Sequence, residues 1–270
     1  MTNNRLHSSF FILHSSFGEM LKLFFIAIQF LTRLPVPISH ATTEEEIGRA
    51  TAFFPMVGLI VGGSAAGIAM LAHPFFPHST CVLAALVWMT LLTNGFHEDG
   101  LADSFDGFGG GWGKDQVLTI MRDSRIGSFG SLALIFLILA KYNLLSNLSF
   151  DQVWRWLIVA HVASRWTVLP LARWLPYARP EGQGKLVAKQ INGQTLVFGT
   201  LTLVGTVALI LPVKIAVTAL MIPLAVVILS GLYYRERIGG LTGDCLGATN
   251  QLTEVSLYVT AVALRNMFSL

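Results

Sequence analysis

Six of the 15 acidic residues of this 270-residue chain lie between Glu98 and Asp123, about a tenth of its length. From His97 the stretch reads HEDGLADSFDGFGGGWGKDQVLTIMRDSRIG. Continued as a helix from the apolar segment before it, this stretch places Asp99, Asp103 and Asp106 at i, i+4 and i+7, within an arc of about 60°. Three carboxylates on one face repel one another unless a cation stands between them. Oxygen-only ligands select a hard divalent ion, magnesium or manganese, over zinc. Glu98 lies about 100° off that face and joins as a fourth ligand only where the helix is irregular. Two plainer readings compete: a solvated polar loop, and ion pairs with Lys114, Arg122 and Arg125.

Other residues with chemical capacity lie downstream. Arg122 and Arg125, three apart on one helical face, offer guanidinium forks that match phosphate oxygens; anchoring at a membrane surface is the alternative. GFGGGWG, from Gly107 to Gly113, allows close backbone approach to a ligand, but no Walker lysine and hydroxyl residue follow it, so it reads equally as a connector. Arg165 sits inside an apolar segment, where a charge marks either a site or a buried ion pair. His161, one turn earlier, reads as a packing histidine, and Lys141 as a side chain reaching for the far interface. In GGLTGDCLGATNQLTE, from Gly239 to Glu254, Asp244 is a candidate metal ligand or hydroxyl-orienting group, or else a turn residue. Arg179 and Lys185 are possible phosphate contacts, or a basic loop at the headgroups.

The elements that must position these groups are membrane helices. Mean hydropathy is +0.63 and only 12% of residues are charged, against roughly a quarter in ordinary soluble domains. The expected fold is all-α, a polytopic helical bundle of about seven spans: Ala50 to Ala72, Thr80 to Phe96, Ser128 to Leu145, Val153 to Trp174, Leu196 to Leu211, Lys214 to Tyr234 and Val255 to Leu270. Leu21 to Thr32 is short for a span and reads as an interfacial or half-inserted helix. Residues 1–19, with HSSF twice, read as a dispensable extension of a single domain over 20–270. Lysines and arginines gather in alternate connections, which assigns those to the cytoplasm. The polar loops His97 to Gly127, Leu175 to Thr195 and Arg235 to Glu254 then share one side and converge on one site. Cys81 and Cys245 fit neither a disulfide framework nor a zinc site and read as small apolar residues. No basic tract points to nucleic acid.

Four segments, EDGLADSFDGFGGG, IMRDSRIGSFG, GGLTGDCLGA and the opening IQFLTRLPVP, together resemble the cobalamin synthase family of bacteria and archaea, whose members are adenosylcobinamide-GDP ribazoletransferases. The resemblance runs from about Met20 to the C-terminus. It implies a magnesium-dependent enzyme of the cell inner membrane. Such an enzyme joins adenosylcobinamide-GDP to α-ribazole or its 5′-phosphate and releases GMP, working among membrane lipid. Homo-oligomerisation or association with other cobalamin-assembly enzymes is the implied setting. Carried onto this sequence, the metal set is Glu98, Asp99, Asp103 and Asp106. The catalytic set is Asp103, Asp106, Asp123 and Asp244, with Asp123 or Asp244 taking the hydroxyl proton. The substrate-binding set is His97, Arg122, Arg125, Arg165 and Thr242. Asp103 to Gly107 also resembles the opening of the CDP-alcohol phosphotransferase motif, but Phe108 and Thr119 break that pattern. An ion-coupled transporter would place its acids nearer the membrane midplane.

Overall fold

The computed structural model describes residues 3–38, 42–179 and 191–265, with side chains from Phe17 onward. Among them the secondary structure is helical, apart from one isolated bridge between Tyr177 and Leu241. The helices are α1 (Asn3–Leu31), α2 (Glu44–Ala50), α3 (Phe54–Ala72), α4 (His78–Thr93), α5 (Phe96–Gly110), α6 (Lys114–Ile120), α7 (Ser128–Ser146), α8 (Phe150–Trp166), α9 (Val168–Trp174), α10 (Gly193–Ile210), α11 (Val213–Ile238) and α12 (Gly243–Ala263). Local chemistry sets several of their ends. Thr43 and Glu46 form a capping box at the start of α2, and Gly239, at φ 71°, stops α11.

This is a membrane protein with an all-α fold. Among the described residues four helical stretches are long and apolar enough to cross a bilayer: Glu44–Ala72, Ser128–Ser146, Gly193–Ile210 and Val213–Ile238. The pair α4 and α5 qualifies only when its two members are taken together. The other expected spans are helical but interrupted or polar. Val153 to Trp174 divides at Thr167 into α8 and α9, because Pro170 has no N–H to bond back to the preceding turn. The last expected span begins earlier than anticipated. α12 starts at Gly243, so Asn250, Gln251 and Glu254 lie on a helix and not in a loop; residues 266–270 of that span lie outside the described residues. Leu21 to Leu31 forms the end of α1, where Leu23, Ile26, Ala27, Ile28 and Leu31 are buried against the bundle.

The acidic stretch is helical, as its spacing suggests, but it does not continue the helix before it. Asn94 (φ 58°) and Gly95 (φ 64°) both adopt the left-handed conformation, which asparagine and glycine enter most readily, and α5 leaves α4 at 85°.

The core is built around α12, which packs against α5, α7, α8 and α11, and around the pair α3 and α8. α3 and α8 approach closely because Gly58 and Gly62 carry no side chain. A Cβ at Gly58 would stand 2.4 Å from the His161 carbonyl oxygen, and one at Gly62 2.6 Å from that of Leu157. α10 and α11 turn apolar residues such as Leu201, Leu209, Val217 and Leu229 outward, as helices against lipid do. We expect Gly58→Leu to push α8 away and lower stability in detergent by about 3 kcal/mol or more. Gly63→Leu, with nothing within 4 Å of its added Cβ, should melt within a degree or two of wild type in the same thermal scan.

Candidate active site

α5 carries four carboxylates, and the structure sends them to three places. Asp99 and Asp103 face α12 and its first acidic residue, Asp244. Burial pushes the half-buried Asp103 up to about 7, with Asp99 and then Asp244 adding repulsion. Burial likewise raises Asp244, opposed by Arg179 and Thr242. α5 can lie this near because α5 and α12 cross at Gly100 and Gly247. A Cβ on Gly100 would meet the backbone of Asp244 at 3.1 Å and Gly247 at 3.2 Å.

Asp106 points elsewhere. Its Oδ2 accepts the Gly127 N–H at 2.7 Å and its Oδ1 the Gly130 N–H at 2.9 Å. The carboxylate thus caps the N-terminus of α7, where Gly127 has no capping side chain of its own. Added Cβ atoms at Gly127 and Gly130 would come within 2.3 and 2.4 Å of Asp106 oxygens, so the glycines of RIGSFG make room for the last aspartate of the acidic motif. Glu98 turns towards the bundle interior, where its Oε1 accepts from the Gln251 side-chain amide at 3.2 Å.

Arg179 enters through the segment after α9. Leu241 N–H donates to Pro176 O at 2.9 Å and Ala178 N–H to Leu241 O at 2.8 Å, which docks that segment on the turn before α12. Arg179 Nη2 then reaches Asp244 Oδ2 at 2.8 Å. Thr242 caps α12 by accepting the Cys245 N–H at 3.2 Å, and its hydroxyl lies 3.3 Å from Asp244 Oδ2. Arg179 and Asp244 line a cavity of about 240 Å³ whose polar wall they form with Asp99 and whose apolar wall includes Phe30, Phe54 and Phe96. His97, buried, also borders it. The described parts of the three loops do converge here; Lys185 lies outside the described residues.

The other sequence-derived candidates sit apart from the cavity. Arg122 and Arg125 are on an exposed turn and not on a helical face. Arg125 forks onto Asp123, Nη2 to Oδ2 at 2.6 Å, and this hydrogen bond holds the Asp123 carboxyl down to about 2, which leaves it a feeble base. Arg165, 1% exposed, pairs inside the bundle with Glu254 at 3.3 Å, and His161 Nδ1 lies 2.9 Å from the same oxygen. Lys141 does not extend to an interface. It is buried, with its Nζ 2.6 Å from Glu254 Oε2, because a carboxylate lies within reach in the core. The carbonyls of Phe108 and Gly111, in the glycine-rich stretch, accept from Arg237, so that stretch ends α5 against a cation. Nothing in the residue types marked Phe30, Phe54 or Tyr177 as cavity-lining; IQFLTRLPVP, which holds Phe30, had carried only resemblance.

Among the described residues no three His, Cys, Asp or Glu side chains close around a single ion site. Asp99, Asp103 and Asp244 nonetheless repel across one space. That suits an ion held by one or two carboxylates and completed by substrate phosphates, as magnesium commonly is.

A helical membrane protein whose loops converge on an acid- and arginine-lined cavity is the class that fold and site define. The chain belongs to the cobalamin-5-phosphate synthase family, whose model matches residues 23–262. It is 38% identical over 256 residues to the adenosylcobinamide-GDP ribazoletransferase of Shewanella amazonensis, covering 93% of this chain and 98% of that protein. It is 39% identical over 247 residues to that of Shewanella woodyi, covering 89% and 95%, and 37% identical over 257 residues to that of Vibrio cholerae, covering 90% and 94%. No solved structure matches.

Because the Asp103 carboxyl is raised from 3.8 to about 7 in the folded chain, its protonation favours folding below pH 4, and that contribution is lost as pH rises through 7. In chelator, Asp103→Asn should therefore lie closest to wild type at about pH 4 and rise increasingly above it as pH approaches 7, with little further change to about pH 8. A gap that does not widen with pH would contradict the crowding of carboxylates.

Proposed function

We propose that this protein is an adenosylcobinamide-GDP ribazoletransferase, which joins the phospho-cobinamide group to α-ribazole or its 5′-phosphate and releases GMP. The family membership and the relatives' shared activity support this reading. The single structural observation that carries it is the convergence of Asp99, Asp244 and Arg179 on one cavity, with Asp103 near enough to both carboxylates to be repelled by them. We further propose that Asp99 and Asp103 are the carboxylates nearest to holding magnesium, with Asp244 beside them. When bound, that ion neutralises the pyrophosphate oxygens of the substrate.

The side chains supply the rest. Arg179, oriented by Asp244, presents donors to the transferred or departing phosphate. A ribose hydroxyl of α-ribazole attacks the phosphorus that bears the cobinamide arm, and the bond from that phosphorus to GMP breaks in line. Asp244 is placed to take the hydroxyl proton on Oδ1, since Oδ2 is held by Arg179 and Thr242. The apolar wall of Phe30, Phe54 and Phe96 limits water at the reacting phosphorus. A cavity of about 240 Å³ suits the diphosphate, with the corrin macrocycle outside it. The distribution of lysine and arginine supports a site facing the cytoplasm across the inner membrane.

Membranes holding the protein, given adenosylcobinamide-GDP and α-ribazole, should form adenosylcobalamin and GMP. Chelator should stop the reaction and magnesium restore it. Asp103→Asn and Arg179→Ala should each lower GMP release by about 10²-fold or more while the protein inserts normally. Asp106→Asn should instead lower the thermal midpoint, because it weakens the cap on α7 by about 1 kcal/mol. Unchanged GMP release in Asp103→Asn would remove Asp103 from the site.

A further inference from the structure

A second polar constellation lies inside the bundle, away from the cavity. Glu254 on α12 takes Lys141 of α7 at 2.6 Å, Arg165 of α8 at 3.3 Å and His161 of α8 at 2.9 Å. Lys141 also donates to Gln251 Oε1, and the Gln251 amide donates to Glu98 Oε1 at 3.2 Å. The chain of contacts thus runs from α8 through α12 and α7 and ends on α5, one residue before Asp99.

Replacing such a buried ion network with apolar side chains of like volume is often neutral or stabilising, so cohesion alone is a poor reason for it. What it supplies is a single register. α5 and α12 meet at Gly100 and Gly247, a close backbone contact that sets the distance between the helices and leaves polar side chains to help fix which way the acidic residues point. A slip of α5 by one residue turns its side chains by about 100° and carries Asp103 away from Asp244. Two polar ties prevent this. One is Asp106 on the start of α7 at the C-terminal end of α5; the other is Glu98 on Gln251 at its N-terminal end.

We propose that Gln251, Lys141 and Glu254 are positioning residues for the transfer reaction, holding Glu98 so that Asp99 and Asp103 stay turned towards Asp244. The inference rests on the transferase reading. Gln251 is the link to cut, since Gln251→Leu keeps about the same side-chain volume and leaves the Lys141–Glu254 pair intact while taking from Glu98 its amide donor.

The test compares GMP release by purified wild type, Gln251→Leu, Lys141→Met and Lys141→Arg, with thermal midpoints measured on the same preparations. Wild type that releases no GMP refutes the transferase reading itself. Given an active wild type, Gln251→Leu should stay folded, with its midpoint lowered by a few degrees for the lost hydrogen bonds. Its kcat should fall about tenfold or more, with KM for adenosylcobinamide-GDP within about threefold. Lys141→Met should lose both rate and thermal stability, because Glu254 Oε2 is left without its cation, and Lys141→Arg should recover most of both. Wild-type kcat in a well-folded Gln251→Leu overturns the proposal. So does a rate loss that only follows loss of folded protein in both Gln251→Leu and the closer isostere Gln251→Met, which would make the network structural alone.

Discussion

A carboxylate taken out of water inside a helical bundle must find cations or amide donors within hydrogen-bonding reach, or it does not remain there as an anion. Glu254 meets this demand with Lys141, Arg165 and His161, drawn from α7 and α8. The requirement makes α12 the axis of the molecule. Its buried face carries Gln251 and Glu254; α7 and α8 answer these groups, α5 crosses at a glycine, and α11 packs with the Tyr234 hydroxyl on Cys245 O and Thr249.

The same demand governs the acidic helix. Of its four carboxylates, Asp106 meets two backbone amides at the start of α7 and Glu98 meets the Gln251 amide. Asp99 is left to the cavity with Asp244, and Asp103 stands near enough to both to be repelled by them. The density of acid in this stretch therefore serves two ends. Two residues secure the helix, and the other two present the repulsion that a divalent ion and a diphosphate would relieve. Arg179 is the cation given to that space, and it arrives through backbone pairing between the segment after α9 and the turn before α12.

Much of this was legible without coordinates. The helical register of Asp99 and Asp103, the apolar stretches, and the meeting of three polar loops follow from spacing and hydropathy, because helix periodicity and the exclusion of unpaired backbone from hydrocarbon are properties of the chain itself. Arg165 had two readings open, and the bundle interior selects the ion pair. Lys141 was misplaced because a lone lysine in an apolar run gives no sign of a carboxylate 113 residues later. Arg122 and Arg125 were set on a helix that stops short of them at Ile120.

The sequence by itself determined that the chain is a membrane-embedded helical bundle, which family it resembles, and that its acids gather on one short helix. Tertiary structure alone decided which carboxylate each partner claims: Asp106 for the amides of α7, Glu98 for Gln251, Asp244 for Arg179. Hydropathy and period are local and can be summed along the chain. The state of a buried charge depends on what stands within a few ångströms of it, and here those neighbours come from helices scores of residues apart.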